Sequence, residues 1–336
     1  VSFIFTAQAW TNLQKETLCT QRQAFAQSTQ ANHRTHFKAY LLFCGFFHQE
    51  PIPATPHLLS CYAQFLSKSI RSPSTISHYL SSVKLLHQLN GHYDLTLDHF
   101  ELRQTLKGIE RALQHRPREH HPVTPEFLSQ LHGFLNHQDP KDATIWAVLL
   151  LGFFTFLRKS NLVPSSAATF DPRKHLSRAD ISVSSAGLLV TVRWSKTIQA
   201  NERQLQIPIL AIPGSQLCPV LAYNNMLRLV PARPASPAFQ LPPTPRRPLR
   251  PLTGSVLDKA FARLVNKAGL PPRYHTLLDL RRGGYTLAFE AGVPRELRRH
   301  HGDWKSDADL LYLQLTMAQR LRLPAAMRSL LCHRIT

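Results

Sequence analysis

Acidic side chains are scarce in this chain of 336 residues, where 20 Asp and Glu stand against 40 Lys and Arg. The formal charge is +20 with the histidines neutral, and the isoelectric point is about 10.3. So few carboxylates argue against a cationic partner and favour a polyanion, of which nucleic acid is the default. A basic structural protein is the plainer alternative. Cysteine is scarce too: Cys19, Cys44, Cys61, Cys218 and Cys332 are scattered, with no C-x-x-C. That excludes a disulfide framework and a cysteine zinc site, and it suits a reducing compartment. His115, His120, His121, His300 and His301 invite a metal reading, but none stands in H-E-x-x-H or C2H2 spacing. They read instead as solvated or phosphate-facing groups. Membrane-length apolar runs are missing as well. The longest candidate, "IWAVLLLGFFTFL" at 145–157, is ended by Arg158 and reads as a buried helix. No signal peptide is read, and a chain opening on Val1 is expected to be a fragment of a longer polypeptide.

What is present is mostly helical periodicity. Residues 1–27 are polar and ill-patterned, an arm or a short helix. From there to 114 the pattern predicts a small all-helical domain. Phe37, Tyr40, Leu41 and Cys44 share one face, as do Leu59, Tyr62, Phe65 and Leu66, and Ile76, Leu80, Val83 and Leu86. Thr55–Pro56 starts the second of these helices, Asn90–Gly91 ends the third, and a fourth covers 98–113. The outward faces carry His78, Ser81, Lys84, His87, Arg103, Lys107 and Arg111, which read equally as a solvated face or as one that tracks phosphates. The basic, unpatterned stretch 115–123 reads as a linker.

A second domain is expected over 124–336. Thr124–Pro125 opens it with a helix start, the apolar helix follows, and 180–210 reads as a three-stranded meander. The Pro-rich stretch 231–251 is expected to be an extended loop outside the core. Helices resume at 253–270, 283–292, 294–300 and 306–317.

Within this domain stand residues with bland readings when taken singly. Arg158 closes an apolar helix, as a snorkelling arginine does. Lys196 in "RWSKT" occupies a turn, where lysine is usually just solvated. Tyr312 lies among leucines, as a core aromatic does. Taken in order, "FLRKSNL", a hairpin lysine, "LRRGG", "GDWKSDA" and a tyrosine nine residues after Asp303 resemble the tyrosine recombinase/phage integrase family. Among its members the chain most resembles the recombinases of eukaryotic mobile elements of the DIRS and Crypton kind.

The resemblance covers nearly the whole chain. It implies a mainly helical protein: a SAM-like core-binding domain, then a mixed α+β catalytic domain with a three-stranded antiparallel sheet, the fold of DNA breaking-rejoining enzymes. It implies that Tyr312 attacks a phosphodiester, giving a covalent 3′-phosphotyrosyl intermediate. Arg158 and Arg281 would hold the non-bridging oxygens, and Lys196 would protonate the leaving 5′ oxygen. Trp304 would serve as an auxiliary N–H donor, and Asp303 occupies a catalytic position usually held by His or Trp. DNA contacts are expected from Arg282 and Lys305 here, and from His78, Lys84, Arg103 and Lys107 in the helical domain. No cofactor or metal is implied. The partner would be double-stranded DNA and the working form a homotetramer on DNA; the compartment would be the nucleus for a eukaryotic mobile-element protein and otherwise the cytoplasm or nucleoid.

The chain departs from the family pattern at three places. Leu278 stands three residues before Arg281, where a histidine is usual, and His275 lies six residues ahead. Asp303 is the second departure, and Asn161 stands where Glu is common. A decayed recombinase that only binds DNA is therefore an alternative, as is an enzyme like a type IB topoisomerase.

Overall fold

The computed structural model describes residues 7–335, apart from 117, 200, 201, 246, 314 and 316. The chain divides at residue 117 into two compact units. The first holds α1 (Ala7–Gln23), α2 (Gln27–Phe46), α3 (Pro56–Ser67), α4 (Pro73–Leu89) and α5 (Phe100–Leu113). Thr55 starts α3 by accepting the Leu58 N–H at 3.1 Å, with Pro56 in the first turn, where its missing donor costs nothing. α4 ends at Gly91, whose φ of +82° suits a residue without Cβ. The core forms where the periodic stripes meet, around Tyr40, Leu59, Tyr62, Ile76, Leu80, Val83 and Leu102.

Two sequence expectations change in this unit. Of the arm or short helix expected over 1–27, Ala7–Gln23 form helix α1. Leu41 and Phe65, expected to face inward, are exposed, because α2 turns Phe43 rather than Leu41 to the core and α3 turns Leu58, Leu59, Tyr62 and Leu66. His87, expected on an outward face, is fully buried. Its Nδ1–H donates to the Val83 carbonyl at 2.8 Å, and its Nε2 accepts the Ala54 N–H at 2.9 Å. Nδ1 thus anchors the ring within α4, and Nε2 fixes the loop before α3.

The second unit is built on α7 (Pro140–Thr155), which follows the short α6 (Pro125–His132) and is capped by Asp139. Almost every α7 side chain is buried, which explains a run with no polar face. After α8 (Lys159–Leu162), β1 (Ile181–Val183), β2 (Gly187–Val192) and β3 (Leu205–Leu210) form an antiparallel sheet in that order. Val190 pairs with Ile181 on one side and Ile207 on the other. Along β3, Leu205, Ile207 and Ile209 point inward and the residues between them outward, the two-residue alternation of a strand with one covered face. α9 (Pro219–Leu229) packs on α7.

The Pro-rich stretch is not an excluded loop. It contains β4 (Gln240–Leu241) paired with β5 (Arg250–Pro251) and inserts Ala238, Phe239 and Leu241 into the main core. Its backbone is tied in by the Gln240 carbonyl, which accepts from Thr144 Oγ1 at 3.0 Å, and by Ala238 N–H donating to Leu176 O at 2.9 Å. Prolines sit where no ladder donor is needed, so their number gave the wrong impression. The unit continues with α10 (Gly254–Lys267), α11 (Leu278–Glu290), α12 (Arg295–His301) and α13 (Met317–Ile335). No helix among the described residues is long and apolar enough to cross a membrane.

α11 begins five residues earlier than 283, because Gly283 and Gly284 lie inside the helix instead of breaking it. They are contact glycines. A Cβ on Gly283 would strike the Val123 carbonyl, and one on Gly284 the Phe153 carbonyl and the Phe156 ring. Backbone cannot yield as a side chain does, so α11 must lie directly against α7. Gly284→Ala is expected to lower stability by about 1–3 kcal/mol through overpacking, in spite of alanine's better helix propensity. Urea unfolding of the variant against the unaltered chain measures it.

Candidate active site

The close packing of α11 on α7 carries Arg281 to the end of α7. There Phe156 takes a left-handed backbone, φ +53° and ψ +24°, a rare state for a bulky residue. The turn aims the Phe156 carbonyl at Arg281 Nη1, which donates to it, while Nη2 donates to the Gly302 carbonyl at 2.9 Å. Arg281 is only 1% exposed, and its guanidinium lies over the Trp304 indole at 3.8 Å and faces the Tyr312 ring at 5.1 Å. Burial pushes this guanidinium down to about 9, and nearby Arg158 adds to the shift; Tyr312 and Asp303 oppose it. It remains cationic at neutral pH, and Nε has no acceptor among the described residues.

Arg158 is half-buried just past the α7 turn, as the residue preceding α8. No hydrogen bond or ion pair of its guanidinium occurs among the described residues. Tyr312 is half-buried too, its ring 5.3 Å from that of Trp304 at 62°. It ends a 3-10 segment, Asp307–Tyr312, and not the regular helix expected over 306–317. Tyr312 is therefore outside a leucine core: Phe156, Tyr285 and Trp304 form the small aromatic cluster on which it packs. The Trp304 N–H is sealed from solvent without an acceptor among the described residues, and the ring presents its face to Arg281.

Lys196 is exposed in the turn between β2 and β3, flanked by the Ser195–Ile198 bridge. Asp303 does not face the arginines' open side. Its carboxylate accepts from Ser195 Oγ at 2.9 Å, from Thr197 Oγ1 and from Arg203 Nη2, all on the hairpin. Burial pushes the Asp303 carboxyl up, but the bonds from Thr197, Arg203 and Ser195 outweigh it and hold it below the ordinary range. Asn161, buried on α8, donates Nδ2–H to the Trp194 carbonyl at 3.0 Å and ties the same hairpin to the Arg158 segment.

Leu278 opens α11 and is 38% exposed. With Arg158 and buried His275 it lines a cavity of about 580 Å³. Burial and neighbouring His121 push the His275 imidazole down, and its Nδ1 has no partner among the described residues. Arg282, expected to contact DNA, is bound to buried Asp279 at 2.6 Å. That carboxylate also accepts from Thr276 N–H at 2.6 Å and Thr276 Oγ1 at 2.9 Å, and His120 Nδ1 lies 3.4 Å away. Lys305 is exposed. In the helical unit His78 and Lys107 are exposed, Lys84 is half-buried, and exposed Arg103 pairs with Asp98 at 3.3 Å. Among the described residues no group of three or more His, Cys, Asp or Glu could hold a metal ion.

Sequence reasoning missed the groups that hold these side chains in place. Ser195, Thr197 and Arg203 form the hairpin clasp, whose only sequence sign is a pair of hydroxyl residues astride Lys196. Asp309, fully buried, accepts from Tyr285 Oη at 2.6 Å and from Arg295 Nε and Nη2, each at 2.8 Å. It fastens the segment of Tyr312 to α11 and α12.

No family model matches the chain, and no curated protein matches it. Solved structures do. The chain is similar to the Tn1549 transposon integrase in complex with transposon right end DNA, at 16% identity, with 94% of this chain and 97% of that one covered and a TM-score of 0.60. A lambda integrase tetramer bound to a Holliday junction is similar at 14% identity, 92% and 78% coverage and a TM-score of 0.56. The XerH site-specific recombinase in a post-cleavage complex with a palindromic difH substrate is similar at 14%, 82% and 70%, and 0.56. The likeness is one of fold: the mainly helical architecture with its three-stranded sheet is that of the tyrosine recombinases.

The Asp309 carboxyl is held at about 2 by Arg295, against burial and with help from Tyr285. A carboxyl lowered by folding stabilises the fold above its ordinary value of 3.8, and that contribution is lost as pH falls through about 2. Asp309→Asn is expected to be less stable at neutral pH and to show a shallower loss of stability between those two values. Acid unfolding followed by circular dichroism checks it.

Proposed function

We propose that the chain is a site-specific DNA recombinase or integrase that cuts and rejoins strands through Tyr312. The observation that carries this reading is the pair Arg158 and Arg281, two guanidiniums near each other with no carboxylate paired to either among the described residues, beside a phenol ring 5.1 Å from the second. Such a site is electrostatically incomplete until an anion enters it. A phosphodiester satisfies the pair, and the same donors stabilise the charge that grows on its non-bridging oxygens.

Tyr312 Oη attacks phosphorus and releases its proton to solvent. The bond to the 5′ oxygen breaks, and that oxygen leaves as a hydroxyl with a proton from the Lys196 ammonium. The phosphotyrosyl linkage retains the energy for rejoining, and the reverse transfer restores the lysine. Leu278 contributes no proton transfer, so the step is expected to be slow. His78, Lys84, Arg103, Lys107 and Lys305 would contact duplex phosphates, giving steep salt dependence. By its likeness to the lambda integrase tetramer the chain would work as a tetramer on DNA. The run "LRRGG…GDWKSDA" supports a mobile element of the DIRS or Crypton kind as its source.

A duplex selected from a random-sequence pool by binding to this chain, then nicked beside the cleavage position, traps the covalent adduct. The unaltered chain is expected to form a denaturation-resistant adduct, and Tyr312→Phe none. Equal retention of DNA by both would leave only a DNA-binding protein. Leu278→His is expected to form the adduct faster, within the 10²–10⁴-fold range typical of a positioned acid or base. An unchanged rate would count against the assignment of that position.

A further inference from the structure

We propose that Asp303 is a positioning residue for Lys196, clasping the hairpin so that the ammonium stands at the leaving oxygen. The proposal rests on the reading that Lys196 protonates that oxygen. Among the described residues the Lys196 ammonium makes no hydrogen bond or ion pair that would hold it: it is exposed, on a turn in the 12 residues between β2 and β3 (193–204). What is held is the backbone on either side. Ser195 and Thr197, its two chain neighbours, both donate to Asp303 Oδ2, and Arg203 from the returning limb donates to Oδ1. Both limbs of the hairpin thus close on one carboxylate. The turn is further pinned by paired backbone bonds between Ser195 and Ile198, whose side chain is fully buried.

The other end of the clasp is anchored to the arginine site. Gly302 supplies the carbonyl that accepts from Arg281, Trp304 supplies the ring beneath that guanidinium, and Asp303 lies between them. Its left-handed backbone, φ +55°, turns the carboxylate toward the hairpin while its neighbours face Arg281. Asp and Asn tolerate that conformation better than most residues. Three consecutive residues therefore register the proposed proton donor against the proposed phosphate site. The Arg203 partner also neutralises the carboxylate, which removes the repulsion an aspartate would otherwise exert on a phosphate.

Leaving-group chemistry tests this directly. A 5′-bridging sulfur leaves as a thiolate and needs no proton, so a defect confined to the proton donor disappears on such a substrate. Adduct formation is measured on the selected nicked duplex with either oxygen or sulfur at that position. The proteins are the unaltered chain, Asp303→Asn, the double variant Ser195→Ala with Thr197→Val, and Tyr312→Phe. Asp303→Asn and the double variant are expected to be slower on oxygen by about 10²-fold and to recover to within a few-fold of the unaltered chain on sulfur. DNA binding and thermal unfolding are measured alongside, and if Asp303→Asn fails to fold the double variant carries the test. Equal slowing on both substrates, or no slowing on oxygen, would overturn the proposal while leaving the recombinase reading intact. Absence of an adduct from the unaltered chain on both substrates would overturn the recombinase reading and the proposal with it.

Discussion

The site depends on one charge kept almost entirely out of water, the guanidinium of Arg281. Removing such a group from solvent is unfavourable by several kcal/mol unless its donors are met. Here two backbone carbonyls and the face of an indole meet them. Each partner imposes a local geometry. The Phe156 carbonyl is aimed by a left-handed turn at the end of α7, and the Gly302 carbonyl by the corner before Asp303. The helix carrying Arg281 can reach both only because Gly283 and Gly284 let it lie on the backbone of α7 and of the Val123 segment. A double glycine within a helix, a strained phenylalanine and a buried tryptophan are consequences of one requirement.

Few carboxylates exist in this chain, and where they are buried is informative. Asp180 pairs with Arg193, Asp279 with Arg282, Asp303 with Arg203 and Asp309 with Arg295. These four occupy the segment before β1, the start of α11, the corner after α12 and the segment before Tyr312. Asp303 joins the hairpin of Lys196 to the corner beside the Arg281 site, and Asp309 joins the segment of Tyr312 to α11 and α12. None faces Arg158, and Arg281 has only neutral hydrogen-bond acceptors. Scarcity of acid at the level of composition thus continues locally: the buried acids position the frame, and among the described residues no carboxylate pairs with Arg158 or Arg281, Asp303 acting on Arg281 without a direct bond.

Much of the frame was legible in the sequence because it follows local rules. Thr55–Pro56 and Thr124–Pro125 announce helix starts that the structure contains, the apolar run of α7 from Ile145 to Phe153 is buried, and the alternation in β3 reports its one covered face. The failures came where tertiary contact outweighs the local signal. The start of α11 was placed at Gly283, five residues late, because the neighbour that Gly283 and Gly284 accommodate, α7, lies over a hundred residues away. The Pro-rich stretch read as excluded because its hydrogen bonds run to Thr144 and Leu176. His87 read as outward because helical spacing cannot show that the loop at Ala54 returns to cover it.

Legibility of the site divides along the same line. The side chains proposed to touch a phosphate are singular in sequence: an arginine ending an apolar helix, a pair of arginines before glycines, a tyrosine after "GDWKSDA". Those that hold them are ordinary serines, threonines and aspartates whose partners are distant, such as Ser195 and Asp303. Asp303 shows the cost of reading position without direction. Its place beside Trp304 suggested a group facing the reaction, while its left-handed backbone turns the carboxylate to the hairpin and leaves the Gly302 carbonyl and the Trp304 ring for Arg281. Side chains one residue apart can serve opposite sides of a site when the backbone between them reverses, and here that reversal links the hairpin of Lys196 to the pocket of Arg281.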